Sequence, residues 1–346
     1  MAEREARHTE YLDKLNDLEG EVNSLNGKLG DVQEKIEDFD GKLADLPTRI
    51  SRIRKMNYMV LTHLEQDQAS LSDRWANVGP TFKERVRTRI GDLQIEFQDL
   101  TRRLSRRRSG GSFEVARLRS IESRISNLRS RVGELEGDVS DTLGDFESRL
   151  EGLEQDLKIA EATVDLTSQA AFPWKEGESA IFAVEAKDMD NDIDGVVTLT
   201  NQRFIFESEK EVVLKKTLFI ATEKKKVRDV VVDQPIGIID EMHKGRVGFL
   251  AGHGVFMTFK PESRLKEMKL DTKGHEADCM LRFYNFVVSG DADKELEALE
   301  EEGVEEMKER GPLICVICGA PHTDEIYRGQ TSIQCKYCGA VIPVSP

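Results

Sequence analysis

Two Cys-x-x-Cys pairs near the end of the chain have the residue types and the spacing of a metal site. Cys315 and Cys318 form the first pair, Cys335 and Cys338 form the second, and a glycine follows each pair. Such a glycine permits the positive φ by which backbone N–H groups reach the sulfurs, and each pair can place two thiolates on one ion. Four thiolates complete a tetrahedral shell, so the predicted metal has a structural role. Zn²⁺ is the expected ion, and iron is the alternative.

The spacing of the two pairs resembles that of a zinc ribbon, which we assign to residues 312–346. The sixteen residues between the pairs fit short strands around a single ion. His322 lies in this loop, but the four cysteines already complete the site. The resemblance implies binding to nucleic acid or protein, and the balanced charge of the ribbon favours a protein partner. Its charged residues are Asp324, Glu325, Arg328 and Lys336.

Outside these cysteines, the chain lacks the motifs of common active sites. The sequence contains no phosphate-binding P-loop, dinucleotide-binding fingerprint, nucleophile elbow or His-Glu-x-x-His motif. The fifth cysteine, Cys279, is predicted to be a small apolar core residue. We therefore expect a protein that is not an enzyme.

The composition indicates several domains with much solvated helix. A chain of 346 residues suffices for two or three domains, and 33% charged with 6% aromatic residues is too polar for one large core. The formal net charge of -15 argues against general nucleic-acid binding. No apolar run could cross a bilayer, no signal-peptide core is present, and the cysteines are grouped as in reducing compartments. We expect a cytoplasmic protein, with peripheral attachment to a membrane as a further option.

The N-terminal segment has a regular heptad pattern. Its apolar residues alternate between spacings of four and three, which predicts a coiled-coil seam. One expectation is a homo-oligomer formed through this helix, and the alternative is that the helix folds back on its own chain. Pro47 is expected to interrupt the helix, which restarts near Arg49, and Gly79-Pro80 is expected to cause a second break. The seam residues are Tyr11, Leu15, Leu18, Val22, Leu25, Leu29, Val32, Ile36, Phe39, Leu43 and Leu46.

Two further helical stretches flank a Gly-Gly turn near residues 109–112 and predict an antiparallel hairpin. The approach to this turn is basic although the protein is acidic. Arginine-rich helix ends suit phosphate or anionic lipid groups, so this tip is a candidate site for an anionic partner, including nucleic acid. A solvated helix face would have the same composition. The arginines in question are Arg102, Arg103, Arg106, Arg107 and Arg108.

After residue 170 the pattern changes from helical to β periodicity. Residues 194–206 contain two alternating apolar runs joined by a Thr-Asn-Gln-Arg turn, which predicts a β-hairpin. Residues 276–288 predict an amphipathic helix. We expect strands at residues 181–186, 194–200, 203–207, 212–219, 227–232, 236–241, 247–250 and 255–259.

Gly195 followed by the run from Leu199 to Phe206 resembles the signature hairpin of GRAM and pleckstrin-homology-like (PH-like) domains. Strands first and one helix last is also the element order of those domains. The resemblance implies a bent barrel closed by a helix, and a role in binding phosphoinositides, other lipids or protein segments. Three consecutive lysines, Lys224, Lys225 and Lys226, could contact an anionic partner. The alternative is that they are charged loop residues that are simply solvated.

The sequence therefore predicts a multidomain chain. A helical coiled-coil region, residues 1–170, precedes a β-rich PH-like domain at 171–289, an acidic linker at 290–311 and the ribbon at 312–346. The expected function is that of a non-enzymatic scaffold or adaptor that self-associates through its coiled coil, binds protein or lipid, and contains structural zinc. A nucleic-acid-associated factor that uses the arginine-rich tip is the alternative.

Overall fold

Three long helices form the first part of the chain and a seven-stranded sheet the second. The computed structural model describes residues 2–109, 115–217, 220–247, 252–272, 275–298, 315, 317–320 and 332–343. The chain divides into two compact units, the first comprising Met1–Ala170 with Phe182–Val184 and the second Ala171–Ile181 with Glu185–Pro346.

The first unit is a bundle in which each long helix contacts the other two. Ion pairs between Lys14 and Glu122 (2.8 Å) and between Lys35 and Glu147 (3.1 Å) show that the first and third helices run parallel. The bundle helices are α1 (Ala2–Lys55), α2 (His63–Ser109) and α3 (Arg119–Thr167), with a 3₁₀ turn at Val115–Leu118.

Helix α2 runs antiparallel to the other two. Lys83 pairs with Asp40 at 2.8 Å and Arg108 pairs with Glu19 at 2.6 Å, so residue numbers along α2 rise as those along α1 fall. The expected turn near 109–112 falls mostly on residues outside the described part of the chain. Helix α2 ends at Ser109 on one side of it.

The heptad seam of α1 is buried within the chain. Its residues from Tyr11 to Leu46 are between 0% and 7% exposed, and α1 packs against α2 and α3. The apolar pattern therefore predicts which face of the helix is buried. Self-association through α1 stays a prediction, and it would have to use other surfaces or a rearranged bundle.

The two helix breaks expected at proline are wrong. Helix α1 continues through Pro47, and α2 continues through Gly79-Pro80. A proline inside a helix costs about 3 kcal/mol. Burial on both sides offsets this cost, since Leu46 and Ile50 are 0% and 4% exposed.

Helix α1 ends at Lys55, and a turn at residues 56–62 follows it. The sequence predicted continuous helix there. Asn57 and Leu61 have positive φ values of 63° and 60°. The guanidinium of Arg54 donates to the carbonyl oxygens of Tyr58, Val60 and Leu61 across 2.7, 2.8 and 3.0 Å. One arginine thus satisfies three backbone acceptors of the turn.

The second unit contains a seven-stranded sheet in the order β4-β3-β2-β1-β7-β6-β5. The amphipathic helix α4 (Glu276–Val288) contacts β2, β5 and β6, with the bounds expected from sequence. The strands are β1 (Ala180–Asp188), β2 (Ile193–Thr200), β3 (Arg203–Thr217), β4 (Ile220–Pro235), β5 (Ile239–Val247), β6 (Gly252–Phe259) and β7 (Glu267–Thr272).

The predicted hairpin is the β2–β3 pair. It is antiparallel and extends from Gly195 opposite Ser208 to Leu199 opposite Phe204. The segments expected as separate strands at 203–207 and 212–219 belong to one long strand up to Thr217, and β7 was not expected at all. Residues 236–238 form a 3₁₀ turn, and the strand expected at 247–250 lies beyond Val247 on undescribed residues.

A buried ion pair lies at the start of β3, next to the turn of this hairpin. Arg203 is 2% exposed and donates to both carboxylate oxygens of Glu178, across 2.8 and 2.6 Å, and to Asp233 across 2.6 Å. Burial alone would raise the pKa of Glu178. Donors from Arg203, the Lys175 N–H and the Thr200 hydroxyl outweigh it and hold that pKa below its usual value.

Residues 291–298 form a further helical segment, and the remainder of the acidic linker lies outside the described residues. Among the described helices, none has the length and apolar character needed to cross a membrane.

Candidate metal centre

The two Cys-x-x-Cys pairs adopt the same backbone turn. In the first, the N–H of Gly319 donates to the carbonyl of Cys315 and the N–H of Cys315 donates to the carbonyl of Ala320, both across 2.8 Å. The second pair repeats these bonds, at the same distances, between Gly339, Cys335 and Ala340. Both glycines have positive φ, 72° and 73°, as the turn requires.

The four sulfurs converge on one point. All lie within 4.8 Å of one another, with 3.7 Å between the sulfurs of Cys315 and Cys338 and 3.6 Å between those of Cys318 and Cys335. A tetrahedral ion with metal–sulfur bonds of about 2.3 Å has ligand–ligand edges of roughly 3.8 Å. A disulfide would need about 2.05 Å. The cluster therefore fits a four-coordinate metal and excludes paired disulfides.

The electrostatics of the cluster also suit a cation. In the first pair, backbone N–H groups of Cys318 and Ile317 donate to the sulfur of Cys315 and lower its pKa. The equivalent donors of the second pair lower the pKa of Cys335 to about 6. Cys315 and Cys335 are buried, whereas Cys318 and Cys338 are exposed. The donating N–H of Ala320 would lower the pKa of Cys318, but the neighbouring sulfurs outweigh it and raise that pKa to about 12. A divalent cation would remove this repulsion between adjacent thiolates.

Three of the large apolar side chains described in the ribbon are exposed. A two-stranded sheet, β8 (Ser332–Gln334) with β9 (Val341–Pro343), leads into and out of the second pair. Ile317, Tyr337 and Val341 are 73%, 74% and 68% exposed. Among the described residues, the four cysteines are also the one cluster of His, Cys, Asp or Glu side chains with metal-ligand geometry. His322 lies outside the described residues.

The structure places the arginines of the tip on the last turns of α2, where several form ion pairs. Arg103 donates to Asp99 at 2.8 Å and Arg108 donates to Glu19 at 2.6 Å. Arg102 is exposed, and its Nε donates to a backbone carbonyl of its own helix. Arg106 is exposed and Arg107 half-buried. Neighbouring arginines on α3 are likewise paired: Arg124 with Asp99, Arg129 with Glu21 and Arg131 with Glu96.

The lysine cluster lies on β4 and belongs to the other unit. Lys226 pairs with Glu209 at 2.6 Å, and the same carboxylate accepts from Arg228 at 3.1 Å. By backbone register, Lys224 lies opposite Val213. Lys225 occupies the next position of the same ladder, opposite Val212. The structure thus brings together the four cysteines, whereas the two basic groups occupy separate units.

Comparison with solved structures finds 20 similar chains. No protein-family model and no curated protein matches the sequence. The chain is similar to the solved structure of the Vps36 N-terminal PH domain, with 16% sequence identity and a TM-score of 0.23, across 36% of this chain and 91% of that one.

Proposed function

We propose that this protein is a non-enzymatic adaptor whose C-terminal ribbon is held by one structural Zn²⁺. The observation that supports the proposal is the convergence of four cysteine sulfurs within 4.8 Å of one another. Zinc suits such a site because it has no geometric preference other than that imposed by the ligands, and four thiolates leave no position open for a substrate. Iron in the same shell is the competing metal.

The second unit supports the binding part of the proposal. A seven-stranded sheet with a C-terminal helix against it has the element order of a PH-like domain. Such a domain would bind a protein segment or an anionic lipid. The nucleic-acid alternative relies on the α2 arginines, and the ion pairs of Arg103 and Arg108 reduce the charge available for phosphate.

Metal analysis tests the ribbon. Protein purified without chelator should contain one zinc per chain by elemental analysis, and Cys338→Ser should lose it. Cys279→Ala is the matched control, because Cys279 is buried on α4 away from the cluster and its loss should leave the zinc content unchanged. An absence of both zinc and iron would refute the proposal, and thiolate-to-iron absorption bands would identify the competing metal.

A binding screen tests the adaptor function. The intact protein is mixed with vesicles that contain phosphoinositide and, separately, with duplex DNA and RNA at several salt concentrations. We expect no nucleic-acid complex at physiological salt. Nucleic-acid binding with a steep salt dependence, abolished when Arg106, Arg107 and Arg108 are replaced by glutamate, would establish the alternative instead.

A further inference from the structure

The free edge of the sheet at β4 has the properties of a peptide-binding surface. Strand β4 is the terminal strand of the sheet, and among the described residues it pairs with β3 alone. Its sixteen residues span about 50 Å at 3.3 Å per residue. Natural proteins usually shorten or cover an edge of this length, because its unpaired N–H and C=O groups attract other strands.

The part of β4 beyond the core forms a two-stranded ribbon. Strand β2 pairs with β3 only as far as Ser208, whereas the β3–β4 ladder continues to Thr217 opposite Ile220. We define the β4 edge as residues 220–231. It ends at a β-bulge, where Val231 is the extra residue between two ladder pairs. The bulge marks a natural limit for added pairing.

Apolar side chains are exposed along this edge. Val227, Val230 and Val231 are 39%, 42% and 46% exposed, within five consecutive positions. Solvated strand positions are normally polar, so three exposed valines there indicate a surface that a partner covers.

The two-stranded β3–β4 extension is basic, although the protein as a whole is strongly acidic. Residues 209–229 contain seven basic and four acidic residues, against a net charge of -15 for the chain. Glu209 pairs with both Lys226 and Arg228, and by composition the segment still has more basic than acidic residues. A partner with complementary charge would therefore be acidic.

We propose that the β4 edge binds an extended peptide that alternates acidic and apolar residues and adds to the sheet as an eighth strand. Only another peptide backbone satisfies both the donors and the acceptors of an edge. Acidic side chains would lie beside Lys226 and apolar side chains beside Val227, since successive strand residues point to opposite faces and neighbours across a ladder share a face.

Other occupants fit less well. A bilayer cannot satisfy unpaired backbone groups of an inserted strand. Phosphates accept hydrogen bonds but donate none, so nucleic acid leaves the carbonyls unpaired. The β4 edge of a second copy would bring the same excess of lysine instead of acidic groups. This inference rests on the proposed adaptor function and names the chemistry of its partner.

The test uses the zinc-containing full chain and a fluorescein-labelled peptide of about ten residues that alternates glutamate and valine, a length matched to the edge. Fluorescence anisotropy should show saturable binding, and amide exchange should slow at residues 226–231. Lys226→Glu should weaken binding roughly tenfold or more by like-charge repulsion. Lys294→Glu is the matched control, because Lys294 is also an exposed lysine paired with a carboxylate, and it should leave affinity unchanged.

The same peptide with N-methyl groups at alternate residues keeps its charge but loses backbone donors, and it should not bind. Equal binding of both peptides would show charge attraction only and would overturn the proposal. Absence of binding at about 100 μM protein would also overturn it. A concentration-dependent dimer that Lys226→Glu dissociates would assign the edge to a second copy instead. Zinc content is measured on each sample, so failure here is separable from failure of the metal site.

Discussion

The helical bundle and the cysteine ribbon differ in how completely their described apolar side chains are buried. Tyr11, Leu15 and Leu29 in the bundle are 0%, 0% and 1% exposed, whereas Ile317 and Tyr337 in the ribbon are 73% and 74% exposed. Each fully buried leucine or valine contributes about 1.5 to 3 kcal/mol, so a long apolar seam is sufficient for the bundle. A segment below about 40 residues cannot bury enough apolar area and needs metal or disulfides. From this difference we expect the bundle to fold without metal and the ribbon to require it.

The largest expected effect is the loss of the metal. Cys335→Ser should release zinc and unfold the ribbon, because structural zinc supplies on the order of 10 kcal/mol or more in apparent terms at neutral pH. The bundle should keep its thermal transition, since its core contains no metal ligand. Elemental analysis, limited proteolysis of the C-terminal segment and far-ultraviolet circular dichroism measure the three properties. A chelator that melts bundle and ribbon together would contradict the distinction between them.

The next largest effect is expected in the unit that contains the seven-stranded sheet, which a buried ion pair stabilises. Arg203→Met removes the ion-pair partner of the buried Glu178 carboxylate, which keeps only the donors from Lys175 and Thr200. This should lower the free energy of unfolding by about 3 to 5 kcal/mol. Thermal and urea unfolding of the full chain measure it. Arg264→Met, at an arginine outside the buried network, is the control and should have little effect.

The same pair predicts an acid response. Because hydrogen bonds hold the folded pKa of Glu178 below its ordinary value of 4.5, its contribution is present above that pH and is lost as the pH falls through the folded pKa. In Arg203→Met the acid-side loss of stability should be smaller. An unchanged pH dependence would contradict this assignment.

Truncating a buried side chain of the α1 seam tests how much that seam stabilises the bundle. Leu29→Ala should cost about 2 to 5 kcal/mol, since Leu29 is 1% exposed and its loss leaves a cavity between α1 and its neighbours. Ile95→Ala, at a residue 65% exposed, is the control and should cost little. Light scattering on the wild type measures self-association. A monomer at micromolar concentration would refute oligomerisation through α1.

The smallest effects come from two glycines of α2. A Cβ on Gly79 would lie 2.7 Å from Cε2 of Trp75, whose Nε1 donates to Asp40 and whose ring packs against Phe39. Gly79→Ala should therefore destabilise the bundle by roughly 1 to 3 kcal/mol. A Cβ on Gly91 meets no atom within 4 Å, so Gly91→Ala should stabilise the helix by about 1 kcal/mol. Thermal unfolding that shows the same sign for both would contradict this account.

Periodicity and spacing were sufficient for features that depend on neighbouring residues. The heptad pattern predicted the buried face of α1, and the alternation around residues 194–206 predicted the β2–β3 hairpin. The Cys-x-x-Cys spacing predicted a four-sulfur cluster, because two short turns of fixed geometry need little else to present their thiolates. The helix at Glu276–Val288 was predicted for the same local reason.

Tertiary packing decided what these patterns left open. Local rules for Pro47 and Pro80 predicted breaks, but the apolar residues on both sides are held by neighbouring helices, and that burial exceeds the cost of one lost hydrogen bond. The turn at Asn57 depends on Arg54, which reaches carbonyls up to seven residues away. Whether the tip arginines are free for an anion depends on carboxylates such as Glu19 on another helix. The helices at the prolines and the pairing of the tip arginines are set by groups distant in sequence, and the turn at Asn57 by a side chain that no periodic pattern indicates.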